Sequence, residues 1–317
     1  MIDHLYMKTY SLIKFFSSLI FIFLIVLVFL NEFPLTKASL CPRFLENTRG
    51  RLKKNFVKFD LSQLEISLER EFILNNFRGK FAIFIPINGE RYSNLNHLLN
   101  RLENILANRL VYYVICENNV ERSHFNRGWT FNACIHEVLL HSDKYGLPTL
   151  DCLCLHDVDK LPMLTNESSS LEQLNESYNC QEYPVGMVSD LVDGELRMFD
   201  SDFFGGVSIL TRWQFLRANG LSNQFIGWGG EDDDFALRLK LSNQVHVNIQ
   251  PKILYKHINH EEELNKIKVS SPEKLRMLEI RNVRDRMLID GVSSVKYSVK
   301  RFYRMNEHSV KIELHPV

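Results

Sequence analysis

The sequence predicts an α/β fold with parallel strands, and three observations lead to this prediction. Short continuous apolar runs at Lys80–Pro86, Leu110–Cys116 and Leu150–His156 have the length and composition of buried strands. Two segments with apolar residues at helical spacing, Asn94–Leu106 and Asn126–His141, lie between these runs. Because strands and helices alternate, the connections are expected to be right-handed crossovers between parallel strands.

The crevice beyond the third predicted strand is the first place to look for a ligand, because open parallel sheets bind ligands at the carboxyl ends of their strands. Asp157-Val158-Asp159 follows that strand directly. Two carboxylates at such a place suit a hard divalent cation that bridges a diphosphate. A solvated turn is the ordinary alternative for so short a motif, and the residues alone leave both interpretations open.

The stretch from Phe203 to Arg238 contains the densest group of unusual residues. Gly205 and Gly206 precede the apolar run Val207–Leu210, which predicts a strand that begins where the backbone closely approaches a ligand or another chain segment. A glycine-rich loop then leads into four consecutive acids, Glu231 to Asp234, at the start of a predicted helix. Acids in a first helical turn offset the helix dipole, which is the simple explanation. Four adjacent carboxylates exceed that need, so we expect one to have a raised pKa or a cationic partner, as a general base often has.

Charge and hydropathy limit the other classes of function. The chain of 317 residues has 38 basic and 38 acidic residues, which disfavours a nucleic-acid binder held by bulk charge. The apolar run Phe15–Leu30 follows Lys8 and Lys14, which predicts a membrane anchor with its N-terminal side in the cytosol. A cleaved signal peptide, with small residues near Thr36–Ala38, is the alternative. The predicted organisation is a cytosolic tail (1–14), a transmembrane signal anchor (15–30), a stem (31–78) and a luminal domain (79–317).

Six cysteines and two glycosylation sequons are consistent with a luminal domain. No CxxC pair occurs, which disfavours a zinc cluster, and simple burial is expected for Cys116 and Cys154. Asn166 and Asn175 each begin an Asn-Glu-Ser sequon within a polar stretch.

Two long motifs carry a resemblance to a known family. Phe204-Gly205-Gly206-Val207-Ser208, followed by Gly227-Trp228-Gly229-Gly230-Glu231-Asp232-Asp233, resembles the beta-1,4-galactosyltransferase family. The ending Gly291-Val292-Ser293-Ser294-Val295-Lys296-Tyr297 is also similar to that family, so the resemblance covers roughly Phe81–Val317. It implies a GT-A nucleotide-sugar-binding mixed sheet with flanking helices, preceded by an N-terminal transmembrane helix, in the Golgi membrane as a single-pass type II protein.

The resemblance also implies a manganese ion and a set of ligands for it. The second aspartate of the family's DVD motif corresponds to Asp159, and the family's histidine ligand corresponds to His257. Leu254 stands where the family has a methionine ligand, and a leucine side chain cannot bind a metal. His260 is the expected replacement, as in the branch of the family that uses a second histidine. A disulfide between Cys152 and Cys180 is implied in the same way.

Binding of the sugar donor, UDP-galactose, is assigned to residues that match the family's motifs. The expected residues are Arg91, Phe125, Arg127, Asp157, Val158, Phe203, Gly206 and Trp228. Only Arg91 can be matched to the family's arginines after the first strand, because the loop here reads Pro-Ile-Asn-Gly-Glu-Arg. Phe203 has the bulk of the tyrosine found in galactose-transferring members, which favours galactose over N-acetylgalactosamine.

Catalysis and acceptor binding are assigned to the four consecutive acids Glu231–Asp234, called the acid run below. Asp232 would act as the base and Glu231 would hold sugar hydroxyls, and the acceptor would bind against Gly229, Gly230, Glu231, Asp232 and Asp233. The implied reaction is inverting transfer to the 4-hydroxyl of a glycan acceptor, with N-acetylglucosamine slightly favoured over xylose. The alternatives are transfer of N-acetylgalactosamine and a non-catalytic luminal sugar-binding protein of the same fold. A homodimer is left open.

Overall fold

The computed structural model describes residues 80–120, 124–163, 171–187, 190–192, 195–197, 204–227, 229–244, 247–248, 254–258 and 272–317. The chain divides into the units Met1–Pro42 and Arg43–Val317, and every described residue belongs to the second. Within these described ranges no helix is long and apolar enough to span a membrane. The predicted anchor (15–30) and stem (31–78) lie outside the described residues.

The larger sheet has eight strands, which are β1 (Phe81–Ile87), β2 (Val111–Glu117), β3 (Cys152–His156), β5 (Val185–Gly186), β8 (Val207–Thr211), β9 (Val247–Asn248), β11 (Tyr297–Asn306) and β12 (Ser309–Pro316). Their order in the sheet is β11-β12-β2-β1-β3-β8-β5-β9. Its centre is parallel, since β1 pairs in parallel with both β2 and β3, whereas β8 runs antiparallel to β3. The predicted alternation of strands and helices is therefore confirmed, and the complete sheet is mixed.

A smaller sheet has four strands, which are β4 (Lys160–Met163), β6 (Asp190–Val192), β7 (Glu195–Arg197) and β10 (Leu254–His257). Their order is β4-β10-β6-β7, and β4 follows β3 directly in the sequence. Antiparallel pairing of β4 with β10 places His257 opposite Lys160, the residue that follows Asp159.

Seven α-helices occur in the described residues. They are α1 (Tyr92–Ile105), α2 (Arg127–His141), α3 (Leu171–Ser177), α4 (Arg212–Arg217), α5 (Glu231–Leu241), α6 (Pro272–Met277) and α7 (Ile280–Met287). Short 3-10 turns, Gly89–Arg91 and Ser142–Tyr145, precede α1 and follow α2.

The core has two layers, one on each face of the large sheet. Alternate residues of β1 point to opposite layers, so that Phe84 belongs to the cluster that includes Phe131 of α2. Ile83 belongs to the cluster that includes Leu98 of α1. Because both faces are covered, all seven residues of β1 are buried, and so are all seven of β2. This explains why these strands are continuous apolar runs in the sequence.

Two features of the fold differ from the sequence predictions. Cys116, expected to be simply buried, forms a disulfide with Cys134, with 5.8 Å between their Cα atoms. The two cysteines meet because α2 packs on β2, and the local sequence does not reveal this contact. The expected disulfide between Cys152 and Cys180 is present, and Cys154 is a buried free thiol.

The second difference is at Pro272–Asp290, where apolar residues at helical spacing predict a single amphipathic helix. This prediction is wrong, because the helix is interrupted between α6 and α7. Glu279 has extended backbone angles and precedes α7. Side chains replace the missing helical hydrogen bonds at this break. Asn282 Nδ2 donates to the carbonyl of Arg276 (2.7 Å), and Arg286 Nη2 donates to the carbonyl of Met277 (3.0 Å).

Candidate active site

The site is organised around Arg127, in the first turn of α2. The side chain of Asn126 caps this helix by accepting from the amide of Trp129 at 2.8 Å. Gly128 packs against the loop at Ser222 so closely that an added Cβ would lie 2.4 Å from the Ser222 carbonyl oxygen. The Phe-Asn-Arg stretch therefore works as a unit, in which Asn126 fixes the helix start and directs Arg127 into the crevice.

The guanidinium of Arg127 joins two of the sequence motifs. Its Nε donates to Asp157 Oδ1 at 2.6 Å, and its Nη1 lies 3.7 Å from Glu231 Oε1. The guanidinium carbon also lies 5.0 Å from the ring centroid of Phe131. Burial lowers the pKa of Arg127, but Asp157, Glu231 and Asp232 together raise it above its ordinary value. Arg127 is therefore a permanent positive charge between carboxylates from two distant parts of the chain.

Backbone hydrogen bonds bring the remaining motifs to the same place. The amide of Asp157 donates to the carbonyl of Gly206 at 2.8 Å, which joins the DVD motif to the Phe-Gly-Gly motif. The amide of Gly227 donates to the carbonyl of Phe125 at 2.9 Å, which joins the glycine loop to α2. Gly206 has a φ of 69°, a conformation that favours glycine, so the requirement for glycine at this position is conformational.

Two polar atoms at the centre of this site have no hydrogen-bond partner among the described residues. These atoms are Arg127 Nη2 and Glu231 Oε2, and both are buried. One atom is a hydrogen-bond donor and the other an acceptor. A hydroxyl group can satisfy both kinds of atom, because it donates and accepts. Burial, and next the charge of Asp232, raise the pKa of Glu231 to about 7, although Arg127 opposes the shift.

Asp159 is buried beside Asp157 and is contacted by Arg91, whose Nη1 lies 3.3 Å from Asp159 Oδ2. Burial raises the pKa of Asp157, Arg127 lowers it, and the nearby charge of Asp159 raises it further. The amide of Ile258 donates to the Asp159 carbonyl at 2.9 Å, so the backbone of β10 lies against the DVD motif. Arg91, which sequence assigned to UDP, thus contacts the expected metal ligand.

These residues fit a divalent cation in part. Paired carboxylates at the end of a strand are the hard oxygen ligands that such ions prefer, and Asp159 and His257 share one strand junction. Within the described residues no group of three or more metal-ligating side chains occurs. The side chain of His257 and the whole of His260 lie outside the described residues, so this finding does not test the expected ligand set.

Three other expected site residues, Phe203, Trp228 and Asn166, also lie outside the described residues. Val158 is buried, and Gly229 and Gly230 precede α5 with φ angles of 89° and 95°. The other sequon asparagine, Asn175, lies on α3, where its Nδ2 donates to the carbonyl of Ile105 at 3.4 Å.

A network of buried charges, which the sequence did not reveal, holds the last residue of the acid run, Asp234. Asp234 accepts from Arg238 Nε at 2.6 Å and from Arg286 Nη2, and the side chains of Asp234 and Arg238 are 0% exposed. Arg238 also contacts Asp290, which accepts from Ser222 Oγ at 2.6 Å. The network links α5 to α7 and to the loop against which α2 packs. The i,i+4 spacing of Asp234 and Arg238 was the one sequence signal for it.

A second buried network lies behind the DVD motif. His156 Nε2 lies 3.2 Å from Tyr178 Oη, which in turn lies 3.0 Å from Tyr255 Oη. Burial lowers the pKa of His156 to about 4, so this histidine is neutral at physiological pH. The network connects β3, the segment before Cys180, and β10, the three elements that surround the motif.

Comparisons with known proteins agree with this arrangement. The family model for the N-terminal region of glycosyl transferase group 7 matches residues 75–170, and the model described as the N-terminal domain of galactosyltransferase matches residues 190–262. Human beta-1,4-galactosyltransferase 4 is 32% identical over 225 residues, which cover 67% of this chain and 60% of that protein. Human beta-1,4-galactosyltransferase 2 is 33% identical over 220 residues, covering 69% and 54%. The chain thus spans between half and two thirds of the length of these relatives.

Solved structures show the same fold. The catalytic domain of Drosophila beta-1,4-galactosyltransferase 7, in complex with xylobiose, matches with a TM-score of 0.56 and 22% identity, covering 75% of this chain and 94% of that one. A mutant of the Drosophila enzyme, in complex with manganese, UDP-Gal and xylobiose, matches with a TM-score of 0.54 and 21% identity over the same shares. The two family models, the sequence relatives and the fold agree, and the chain belongs to the beta-1,4-galactosyltransferase family.

Proposed function

We propose that this chain is an inverting beta-1,4-galactosyltransferase that moves galactose from UDP-galactose to the 4-hydroxyl of an acceptor sugar. Two buried atoms carry the proposal, Arg127 Nη2 and Glu231 Oε2, which have no hydrogen-bond partner in the part of the chain that the structure describes. Unsatisfied buried polar atoms are costly, so a site that retains them is built for a polar ligand. A sugar hydroxyl would satisfy both atoms.

Asp232 is the proposed base. It adjoins Glu231 in the first turn of α5, and its Oδ1 accepts from the amide of Asp233 at 3.1 Å. The acceptor 4-hydroxyl would attack the anomeric carbon of galactose and transfer its proton to the Asp232 carboxylate. The bond from that carbon to the diphosphate oxygen would break, and its electron pair would leave with UDP. Attack opposite the leaving group inverts the anomeric configuration.

Charge balance explains why carboxylates and arginines alternate across the crevice. Asp159 and His257 would hold manganese, which as a Lewis acid would offset the negative charge of the departing diphosphate. Arg127 would hold a hydroxyl of the donor sugar together with Glu231, while its Nε keeps Asp157 in place. In this arrangement Phe125, Val158 and Gly206 form the wall of the nucleotide site, and Gly229 and Gly230 leave room for the acceptor.

The choice of substrates follows from weaker signals. Phe203 favours galactose, and the relatives are named beta-1,4-galactosyltransferases. The complexes of the Drosophila structures with xylobiose make a xyloside the natural comparison to N-acetylglucosamine. We further propose that segment 15–30 anchors the chain in the Golgi membrane, that 31–78 is a stem, and that domain 79–317 is luminal and glycosylated at Asn166.

A transfer assay on the full-length chain in detergent tests the proposal. UDP-galactose and UDP-N-acetylgalactosamine are each offered with N-acetylglucosamine and xyloside acceptors, with manganese or with a chelator. We expect metal-dependent galactose transfer, and we expect Asp232→Asn to reduce kcat by about 10²- to 10⁴-fold. The matched control, Asp143→Asn, makes the same change at an exposed acid in the 3-10 turn that follows α2.

Binding of UDP-galactose, measured by calorimetry, separates the alternatives. Asp232→Asn should bind the sugar donor as the wild type does, because Asp232 acts on the acceptor. Tight binding of UDP-galactose with no transfer to any acceptor by the wild-type chain would contradict the enzyme and favour the sugar-binding alternative.

A further inference from the structure

The loop that leads into the acid run contains three glycines in left-handed conformations. Gly227, Gly229 and Gly230 have φ angles of 70°, 89° and 95°. Glycine adopts these angles readily, but it also loses more conformational entropy than other residues when it is fixed. A loop of this composition therefore needs contacts from outside to keep one conformation.

One side chain supplies such contacts at both ends of the loop. Lys274 Nζ donates to the carbonyl of Ile226 at 3.2 Å and to the carbonyl of Gly229 at 3.0 Å. On the opposite side, the amide of Gly227 donates to Phe125. The loop is thus held between Phe125, two residues before α2, and the ammonium group of Lys274.

The helix that carries Lys274 is itself fixed to the acid run. Arg286 Nη2 donates to the carbonyl of Met277, at the end of α6, and also to Asp234. The amide of Asp234 donates to the carbonyl of Gly230 at 3.0 Å. A closed circuit therefore runs from Lys274 through the loop to Asp234, and back through Arg286 to α6.

Glu231 and Asp232 lie inside this circuit, between Gly229 and Asp234. Contacts from α6 fix the backbone on the N-terminal side of these two residues, and Arg286 fixes Asp234 on the C-terminal side. A change in the position of the Gly229 carbonyl would move the first turn of α5, where the proposed base lies.

We propose that Lys274 is a positioning residue for acceptor binding, which acts by fixing the carbonyls of Ile226 and Gly229 and so the start of α5. This inference rests on the proposed function for its effect on catalysis. Lys274 itself touches no reacting atom. Its contribution to global stability is small, because no residue of α6 is buried.

The test compares Lys274→Met with Lys274→Arg in the full-length chain. The methionine variant keeps the length of the side chain and removes the donor, whereas arginine can still donate to two carbonyls. The matched control is Lys296→Met, which makes the same substitution at an exposed lysine. We expect Lys274→Met to raise the acceptor KM by about tenfold, with a smaller effect on kcat, because about one to two hydrogen bonds of a charged donor are lost. Lys274→Arg should restore most of the acceptor affinity.

A second readout does not depend on activity. Hydrogen exchange of the amides from Gly229 to Asp234 should become about tenfold faster in Lys274→Met, while exchange in β1 and β2 stays unchanged. Unchanged exchange and an unchanged KM in this variant would overturn the proposal, and so would an equal acceleration throughout the chain. If the wild type transfers no sugar, the proposed function fails, whereas exchange at Gly229–Asp234 still decides whether Lys274 positions the loop.

Discussion

The two ends of the acid run, Glu231 and Asp234, show how one helical turn can hold both an open site and a closed structural network. Both side chains are buried. Glu231 shares one arginine, Arg127, with Asp157, and its Oε2 has no hydrogen-bond partner among the described residues. Asp234 pairs with two arginines, Arg286 and Arg238, and Arg238 also pairs with Asp290. Asp234, with two arginine partners, therefore has a structural role, whereas Glu231, with one, can bind a ligand.

Glu231 and Asp234 meet different neighbours because they lie about one turn apart along α5. Glu231 faces the crevice at the mouth of the sheet, where Arg127 enters from α2. Asp234 faces α7, which supplies Arg286, and its own helix supplies Arg238. Burial, and next the charge of Asp232, raise the pKa of Glu231 to about 7.

The largest effect is expected from Asp234→Asn, which keeps the shape of the side chain and removes its charge. Arg238 and Arg286 would then remain buried without their main counter-charge. Removing one partner of a buried ion pair costs about 3–5 kcal/mol, so the free energy of unfolding should fall by about that amount. Denaturant unfolding of the wild type and the variant, followed by fluorescence, measures it. A loss of unfolding free energy below about 1 kcal/mol would mean that the ion pairs of Asp234 do not stabilise the fold.

The central strands were predictable, because a strand covered on both faces must be apolar throughout, as in β1 and β2. The start of α5 at Glu231 was also predictable, from the preceding glycines and the acids of its first turn.

Long-range partners were not predictable, because they depend on the packing of elements that are distant in sequence. The contact of Arg91 with Asp159 spans 68 residues, and that of Arg286 with Asp234 spans 52. The apolar spacing over Pro272–Asp290 predicted one helix, but periodicity does not reveal that Arg286 and Asn282 bind the carbonyls at an internal helix end. Such long-range contacts determine which acid has a structural role and which can bind a ligand, and only the three-dimensional structure shows them.

A medium effect of opposite sign is expected from Glu231→Gln. The pKa of Glu231 is about 7 in the folded chain, against an ordinary value of 4.5, so the native state binds the proton more tightly than the unfolded state. The cost of ionising Glu231 is therefore absent below about pH 4.5, grows between pH 4.5 and 7, and is complete above pH 7. The glutamine variant avoids this cost.

We therefore expect Glu231→Gln to be more stable than the wild type by about 1–3 kcal/mol at pH 8, and to show no such gain at pH 4.5. Its transferase activity should fall, because a carboxylate that holds a sugar hydroxyl is lost. Unfolding curves at the two pH values measure the gain. A variant that is less stable at pH 8 would show that Glu231 is a structural partner like Asp234, and would remove the contrast between the two.

The smallest effect is expected from Asp233→Asn. Asp233 is exposed, so solvent screens its charge, although partial burial and the charge of Asp232 raise its pKa to about 6. The free energy of unfolding should change by less than about 0.5 kcal/mol, as is usual for surface substitutions. Thermal unfolding provides the measurement, and a large loss would mean that exposure does not distinguish the members of the run.

The most direct test of the central claim is a paired measurement of unfolding free energy and galactose transfer in Asp232→Asn and Asp234→Asn. The division of the acid run predicts that Asp232→Asn unfolds within about 1 kcal/mol of the wild type and loses at least about 100-fold in kcat. It also predicts that Asp234→Asn loses stability, whatever activity its folded fraction keeps. An Asp232→Asn variant that is as unstable as Asp234→Asn, or that transfers galactose at the wild-type rate, would contradict the account.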